Sequence, residues 1–275
     1  MENNDGYDFF EESEDFNEKV APDKYFLEVQ KEIKELYEKD KEAVYYVRQL
    51  QIMFEKYYFH WITYNATVQL KEFGYLKDKI IEREEGTSAR YFMNSSYRYP
   101  KRKMKQMNMV IEEYSQDNIT RSCGHRAEDL FCSGLAMRGF MPVAKKVREY
   151  NGREWVQTGH DLDFIFVKDK ISYGCEIKNT LGYIPIEELE IKLRMCNFFN
   201  VRPLFIMRYS PKTYNKMIID QGGFALLFKE QIYDISQVEL VKKIKEILNL
   251  PVNNTKAIPD GIITRFENWH NIIVN

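Results

Sequence analysis

The sequence predicts a mixed α/β (α+β) protein in which a mainly helical N-terminal half precedes a half built on a mixed central sheet. Up to about residue 95, apolar side chains recur mainly at the spacing of amphipathic helices. From about residue 125, short apolar segments typical of strands alternate with amphipathic helices in the order αβββαβαβα. This alternation implies a mixed sheet with helices on both of its faces.

The composition is that of an ordinary globular protein, since 44% of the 275 residues are hydrophobic and 30% are charged. The formal net charge of -2 gives no global basic signal, so any surface that binds nucleic acid must be a local patch. No segment approaches the roughly 18 apolar residues of a membrane span. The four cysteines show no CxxC spacing, and we therefore expect reduced thiols and a cytoplasmic location.

Three helices are predicted before residue 75. Apolar side chains recur at helical spacing from about Pro22, and they continue in a second helix over residues 44–58. Thr63 or Asn65 can cap a third helix, and Gly74 supplies its C-terminal stop.

Two short β-prone segments follow the third helix, around residues 79–81 and 88–93, with a polar turn between them. A helix followed by such a hairpin resembles a winged helix-turn-helix, over roughly residues 40–95. The resemblance implies that outward side chains of the third helix contact base edges and phosphates of DNA. These side chains are predicted to be Asn65, Thr67, Gln69 and Lys71. Winged helices also serve as protein–protein modules, and Glu82, Glu84 and Glu85 of the turn would repel a phosphate backbone.

The most basic run of the chain extends from Arg98 to Lys105, close to several tyrosines. Lysines and arginines displace counterions from phosphates and tyrosines can stack on bases, so we predict a phosphate-binding linker. A merely solvated linker is the alternative. Its basic side chains include Lys101, Arg102, Lys103 and Lys105. Pro100 marks a break, which places the domain boundary between about residues 98 and 120.

A predicted β-hairpin over residues 163–178 is the centre of the second half. Asp163–Val167 is short, apolar and rich in β-branched and aromatic residues, which predicts a buried strand. A polar turn leads to a second strand, Ile171–Lys178. Because side chains alternate along a strand, Glu176 and Lys178 share one face whereas Ile177 points into the core.

The hairpin would bring Asp163 close to Glu176 and Lys178 at one end of the sheet. Two carboxylates and an amine would then converge. Such a constellation can hold a hard divalent cation and place a lysine beside a phosphate.

The flanking elements follow from periodicity and from turn residues. A helix begins at about His125 or Arg126 and ends at Gly139, with Glu128 in its first turns. A strand is predicted at residues 143–147. After the hairpin, the sequence predicts a helix at 185–197, a strand at 203–208, a helix near 212–220, a strand at 224–228 and an amphipathic helix at 237–248.

A helix with a glutamate, a hairpin with Asp on one strand and Glu-x-Lys on the next, and then a helix and a strand resemble the PD-(D/E)xK nuclease superfamily. The resemblance covers about residues 121–230 and implies a restriction-endonuclease-like αβββαβ core. Gly124–Glu128, Asp163 and Glu176–Asn179 are most similar to the Mrr-like and archaeal-resolvase-like branches. One departure is that Leu162 replaces the proline of the motif. Asp161 also competes with Asp163 for the role of metal ligand.

The resemblance implies an endonuclease that hydrolyses double-stranded DNA with Mg²⁺, or with Mn²⁺ as a substitute. Asp163, Glu176 and the carbonyl of Ile177 would bind the ion. Lys178 would orient the attacking water or stabilise charge in the transition state. Glu128 would hold a second ion or anchor a water. A sequence-specific restriction endonuclease is expected, with a structure-specific junction or repair nuclease and a DNA-binding protein with an inactive nuclease fold as alternatives. Symmetric cutting favours a homodimer.

These predictions divide the chain into four parts. Residues 1–19 are rich in Asp and Glu and predict a disordered acidic tail. An acidic pseudo-substrate that lies over a basic groove until DNA displaces it is the alternative. Residues 20–115 form the predicted winged-helix-like DNA-binding domain, residues 116–250 the predicted nuclease domain, and residues 251–275 a C-terminal extension.

Overall fold

A computed structural model describes residues 24–82 and 88–274. The predicted acidic tail and Glu84 and Glu85 of the polar turn lie outside the described residues. The chain divides into two compact units. The first contains the described residues up to Tyr114 together with Lys243–Leu250, and the second contains Ser115–Lys242 and the described residues from Pro251.

The first unit consists of helices around a small sheet. Its elements are α1 (Lys24–Lys39), β1 (Val44–Tyr46), α2 (Val47–Phe54), α3 (His60–Glu72), β2 (Leu76–Glu82), β3 (Ser88–Asn94), α4 (Lys101–Tyr114) and a π-helical segment, Ile244–Leu248. The three strands are antiparallel in the order β1-β3-β2. Helix α3 ends before Gly74, whose φ of 74° is the left-handed conformation that a helix stop requires.

The basic run is not a linker, which corrects the sequence prediction. Helix α4 begins at Lys101 directly after Pro100, so this proline precedes a helix start and does not interrupt the fold. The helix buries one stripe within the first unit: Met104, Met107, Val110 and Ile111. The helical spacing of these four apolar residues was present in the sequence, but the many charged residues around them favoured the interpretation as a linker.

The second unit contains a five-stranded sheet with helices on both faces. Its larger elements are α5 (Asp117–Met137), β4 (Met141–Val147), the short β5 (Glu149–Tyr150) and β6 (Arg153–Glu154), β7 (Leu162–Lys168), β8 (Ile171–Lys178), α6 (Ile186–Phe199), β9 (Arg202–Met207), α7 (Lys212–Asp220) and β10 (Phe224–Leu227). It continues with β11 (Gln231–Tyr233), α8 (Val238–Lys243), β12 (Val252–Asn254) and α9 (Asp260–Val274).

The strand order of the large sheet is β10-β9-β8-β7-β4. Strands β8, β9 and β10 are parallel, whereas β7 is antiparallel to both of its neighbours. Among the described residues, buried side chains form three apolar clusters, one with α5 and α9, one with α6, and one with α6 and α7. The predicted mixed α/β architecture and mixed sheet are therefore confirmed.

Several boundaries differ from the sequence prediction. The segment predicted as the second helix begins with strand β1 and is helical over Val47–Phe54, and α3 begins at His60, before the predicted caps Thr63 and Asn65. Helix α5 begins at Asp117 and not near His125, because Cys123 is already buried on its inner face and packing overrides the weak helix propensity of Ser122 and Gly124. Segment Lys243–Leu250 packs in the first unit, where the side chain of Gln49 donates to the carbonyl of Leu248 at 2.7 Å.

The C-terminal residues form helix α9, which is an integral part of the apolar cluster with α5. Phe266 is fully buried, and its ring centre lies 4.6 Å from that of Phe140 and 5.1 Å from that of Tyr173. On the same helix His270 is also fully buried, with Nδ1 2.6 Å from the Tyr173 hydroxyl and Nε2 2.9 Å from Asp169. None of the described helices is long and apolar enough to cross a membrane.

We expect Phe266→Ala to destabilise the second unit, because deletion of a fully buried aromatic ring costs about 3–5 kcal/mol. Urea unfolding should show a lower free energy of unfolding than in the wild type. Ile272→Ala on the same helix is the matched control, since the side chain of Ile272 is 75% exposed. Equal effects of the two substitutions would contradict this role of α9.

Candidate active site

The candidate site lies where β7 begins and β8 ends, on the sheet face that α6 covers. The antiparallel ladder between the two strands pairs Phe164 with Cys175, so continuation of the register places Asp163 opposite Glu176. Cys175 and Ile177 point into the core with α5, and Glu176 and Lys178 point to the other face. This is the alternation that the sequence predicts.

The two strands separate at this point, and the Asp163 side chain takes the place of the next ladder hydrogen bond. The backbone N–H of Ile177 donates a hydrogen bond of 2.6 Å to Oδ2 of Asp163. Because the N–H and C=O of one residue point to the same neighbouring strand, the carbonyl of Ile177 faces the side on which Asp163 lies. The structure thus brings together the three oxygen-bearing residues that the sequence predicts as ligands.

Glu176 is a buried carboxylate between two ammonium groups. Only 2% of the residue is exposed. Its Oε1 lies 3.3 Å from Nζ of Lys178, and its Oε2 lies 2.7 Å from Nζ of Lys192 on α6. Lys178 also contacts Glu188 of α6, at 2.8 Å. Two lysines therefore balance the charge that burial would otherwise make costly.

Helix α6 contributes two charged side chains, Glu188 and Lys192, that were not predicted from the sequence. Lys192 is 4% exposed and donates to the main-chain oxygen of Asp161, whose carboxylate lies 3.9 Å from the ammonium. Glu188 and Lys192 are four residues apart and flank the buried stripe that contains Leu189. The burial of Lys192 could have been predicted from its position directly beside the apolar stripe of α6. A lysine that is fully solvated would lie on the opposite side of the helix.

The site shifts the pKa of several of its groups. Burial, and then the charge of Glu176, raise the pKa of Asp163 well above its usual value, although Lys192, the N–H of Ile177 and Lys178 act in the opposite direction. Burial alone would lower the pKa of Lys178, but Glu176 and Glu188 outweigh it and raise that pKa. The pKa of Lys192 is raised in the same way, chiefly by Glu176 and Asp163 against the effect of burial. Both lysines are therefore cations at neutral pH.

The structure does not bring Glu128 into this cluster, contrary to the role predicted for it. Its Oε2 lies 3.0 Å from Nζ of Lys145 on β4. Lys145 pairs with Phe164, and its Nζ lies 5.1 Å from the ring centre. Phe164 packs in the core with α5, whereas Asp163 accepts its hydrogen bond from the N–H of Ile177. Within residues 24–82 and 88–274, no three His, Cys, Asp or Glu side chains form a group that could hold a metal ion.

The predicted contact residues of α3 do not form one outward face. Asn65 is exposed and Lys71 is half-buried, with Nζ 3.9 Å from Asp78. The prediction for Thr67 is wrong: it is 1% exposed and its hydroxyl donates to a carbonyl one turn back. Gln69 is half-buried and accepts a hydrogen bond of 2.6 Å from Gln30. A spacing of two residues describes one face of a strand, whereas a helical face repeats every three or four residues.

The predicted basic side chains of α4 are all exposed: Lys101, Arg102, Lys103 and Lys105. Nζ of Lys103 donates to the carbonyl of Glu42 at 2.7 Å and lies 5.5 Å from the ring centre of Tyr97. Cations in the first turns of a helix are unfavourable for its dipole. Helix stability therefore does not explain this cluster of charges.

Comparison of the chain with protein-family models, with curated proteins and with solved structures finds no match.

The raised pKa of Asp163 predicts a specific pH dependence of stability. Because the folded protein holds this proton more tightly than the unfolded chain, wild-type stability should fall as pH rises above the usual aspartate pKa, by at most about 1.4 kcal/mol per pH unit. The loss should be complete above the folded-state pKa. Asp163→Asn keeps an acceptor for the N–H of Ile177 and should remove this component of the slope.

Urea unfolding from pH 4 to pH 8 in EDTA measures the difference between the two proteins. Asp220→Asn is the matched control, since the Asp220 side chain is 57% exposed and pairs with Lys216 on the surface. If Asp163→Asn and the wild type show parallel pH profiles, Asp163 does not have the environment described above.

Proposed function

We propose that this protein is a Mg²⁺-dependent endonuclease that hydrolyses phosphodiester bonds of double-stranded DNA. The proposal includes the restriction-endonuclease-like core and membership of the PD-(D/E)xK superfamily, with a sequence-specific restriction enzyme as the specific form. One observation carries it. Asp163 lies opposite Glu176 where β7 and β8 separate, and Lys178 follows on the same face.

The residues of the site fit a hard divalent cation. Mg²⁺ takes oxygen ligands, and one or two carboxylates of the protein are sufficient because substrate phosphates and waters complete the shell. Burial and the neighbouring Glu176 disfavour the charged form of Asp163, and a cation would relieve both effects. Asp163, Glu176 and the carbonyl of Ile177 would hold the ion. When bound, it supplies Lewis-acid activation of the phosphate and of the attacking water.

Lys178 is the group of the cluster that is placed to act on the substrate. Its side chain is 27% exposed, whereas Lys192 and Glu176 are buried. The raised pKa keeps Lys178 protonated, so it acts as a hydrogen-bond donor and not as a general base. Its ammonium, held by Glu176 and Glu188, would stabilise negative charge that develops on the phosphate oxygens.

The first unit supports a role in DNA binding. Helix α3 followed by the antiparallel pair β2–β3 is the local arrangement that supports a winged-helix-like domain in this proposal. The exposed cations of α4 form a local basic patch in a chain with a net charge of -2. Such a patch, and not the exposed part of α3, would supply most of the attraction to phosphates.

A DNA-binding protein with an inactive nuclease fold is the second candidate. It is favoured by the contact of both Glu176 oxygens with lysines, because a cation would compete with ammonium groups for the same carboxylate. In that case DNA binding should persist without metal and no strand should be cut.

A plasmid cleavage assay with Mg²⁺ tests the proposal. Wild type should give discrete fragments, and EDTA should abolish them. Lys178→Ala should reduce the rate by about 10²–10³-fold, the usual effect of removing one donor to a developing oxyanion. Lys216→Ala, which removes an exposed lysine of α7, should cut at the wild-type rate.

The other outcomes select between the candidates. Preferential cutting of branched DNA would favour a structure-specific junction or repair nuclease. The absence of cutting on unmodified, methylated and branched DNA, with DNA binding retained in EDTA, would favour the inactive fold.

Replacement of three α4 cations should weaken DNA binding in a salt-dependent manner. In the variant Lys101→Gln/Arg102→Gln/Lys105→Gln, the slope of log K against log[salt] should fall by about 0.9 for each phosphate that the protein no longer neutralises, up to about 3 in total. Lys103 is left in place because it contacts the carbonyl of Glu42. Fluorescence anisotropy with duplex DNA and Ca²⁺ measures the slope.

The matched control is Lys31→Gln/Lys216→Gln, which removes two lysines whose side chains are 79% and 75% exposed on other helices. If the control slope fell by as much per removed charge as that of the α4 variant, α4 would have no special role.

A further inference from the structure

Five charged side chains of the candidate site form a row of alternating sign. The contacts run from Asp161 to Lys192 at 3.9 Å, to Glu176 at 2.7 Å, to Lys178 at 3.3 Å and to Glu188 at 2.8 Å. Asp163 stands outside this row. Among the described residues no cationic side chain lies within ion-pair distance of Asp163. Its carboxylate accepts a hydrogen bond from the backbone N–H of Ile177, which is an uncharged donor.

Lys192 is the most deeply buried cation of the row. Its side chain is 5% exposed, compared with 27% for the side chain of Lys178. A phosphate that reaches Lys178 would therefore not reach Lys192. Its position beside the buried Leu189 and Leu193 would suit an apolar residue, which would fill the space without the cost of burying a charge.

Lys192 acts directly on one carboxylate of the candidate site. Its ammonium lies 2.7 Å from Oε2 of Glu176. A divalent cation at the site would be attracted by the carboxylate of Glu176, which also holds Lys192. The ammonium of Lys192 would repel the same cation.

We propose that Lys192 partly neutralises Glu176 through their ion pair and thereby limits the affinity of the site for a divalent cation. The inference rests on the proposed function only in the identity of the two carboxylates as the cation ligands. Lys178 acts on the substrate, and Lys192 determines the net charge of the site that binds the cation. Glu176 is the residue through which the two lysines are linked.

Calcium binding to the full-length protein tests this division of roles without any cleavage. Isothermal titration calorimetry with Ca²⁺ should show that Lys192→Gln binds the ion about tenfold more tightly than the wild type, or tighter still, because one repelling charge is removed. Lys192→Arg retains the charge and should stay within about threefold of wild type. Lys216→Gln is the control for a remote lysine and should not change the affinity.

An unchanged or weaker Ca²⁺ affinity in Lys192→Gln would overturn the proposal, because it would mean that the ammonium supports the ligand geometry more than it repels the ion. If Lys192→Gln folds only with Ca²⁺, the cation concentration needed for folding, measured by circular dichroism, gives the affinity. The double variant Glu176→Gln/Lys192→Gln removes both partners of the pair. It should fold in EDTA and bind Ca²⁺ more weakly than wild type, and wild-type affinity in this variant would also overturn the proposal.

The outcome is independent of the nuclease assay. Tighter Ca²⁺ binding by Lys192→Gln in a protein that cuts no DNA would support the role of Lys192 and contradict the proposed endonuclease. DNA cleavage by the wild type with no change of Ca²⁺ affinity in the variant would do the reverse.

Discussion

The ion contacts of the buried Glu176 are the interaction on which the second unit's site depends. A carboxylate that is 2% exposed is tolerated because Lys178 and Lys192 approach it from two different elements. Removal of one partner of a buried ion pair usually costs about 3–5 kcal/mol, because the remaining charge is left without compensation. A substitution that changes the charge of Glu176 or Lys192 is therefore expected also to weaken the packing of α6 against β8.

The scaffold around Glu176 keeps these contacts in place. At Gly174, two residues earlier in β8, an added Cβ would lie 2.8 Å from Sγ of Cys196 on α6, so only glycine permits this close approach. The end of the strand is fixed by Asn179, whose side chain donates to the carbonyls of Cys123 and Ile232 and accepts from the N–H of Ile232. Lys178 is thus held between a tightly packed strand and an anchored loop.

Predictions from local patterns succeeded where the pattern itself dictates geometry. Alternation along β8 fixed the faces of Glu176, Lys178 and Ile177, and a short polar turn fixed the register that brings Asp163 opposite Glu176. Predictions failed where composition was taken as structure, as in the charged first turns of α4, or where a strand period was applied to a helix, as at Thr67. In each failure the helical spacing of buried residues was present in the sequence.

The sequence by itself determined the class of architecture, the mixed sheet and the convergence of Asp163, Glu176 and Lys178, because all of these follow from short-range periodicity within one hairpin and its neighbours. Only the tertiary structure decided that Lys192 and Glu188 join the cluster, that Glu128 pairs with Lys145 on β4, and that residues 243–250 pack in the first unit. These outcomes depend on how distant segments pack, and periodicity specifies which face of a segment is buried but not which partner covers it.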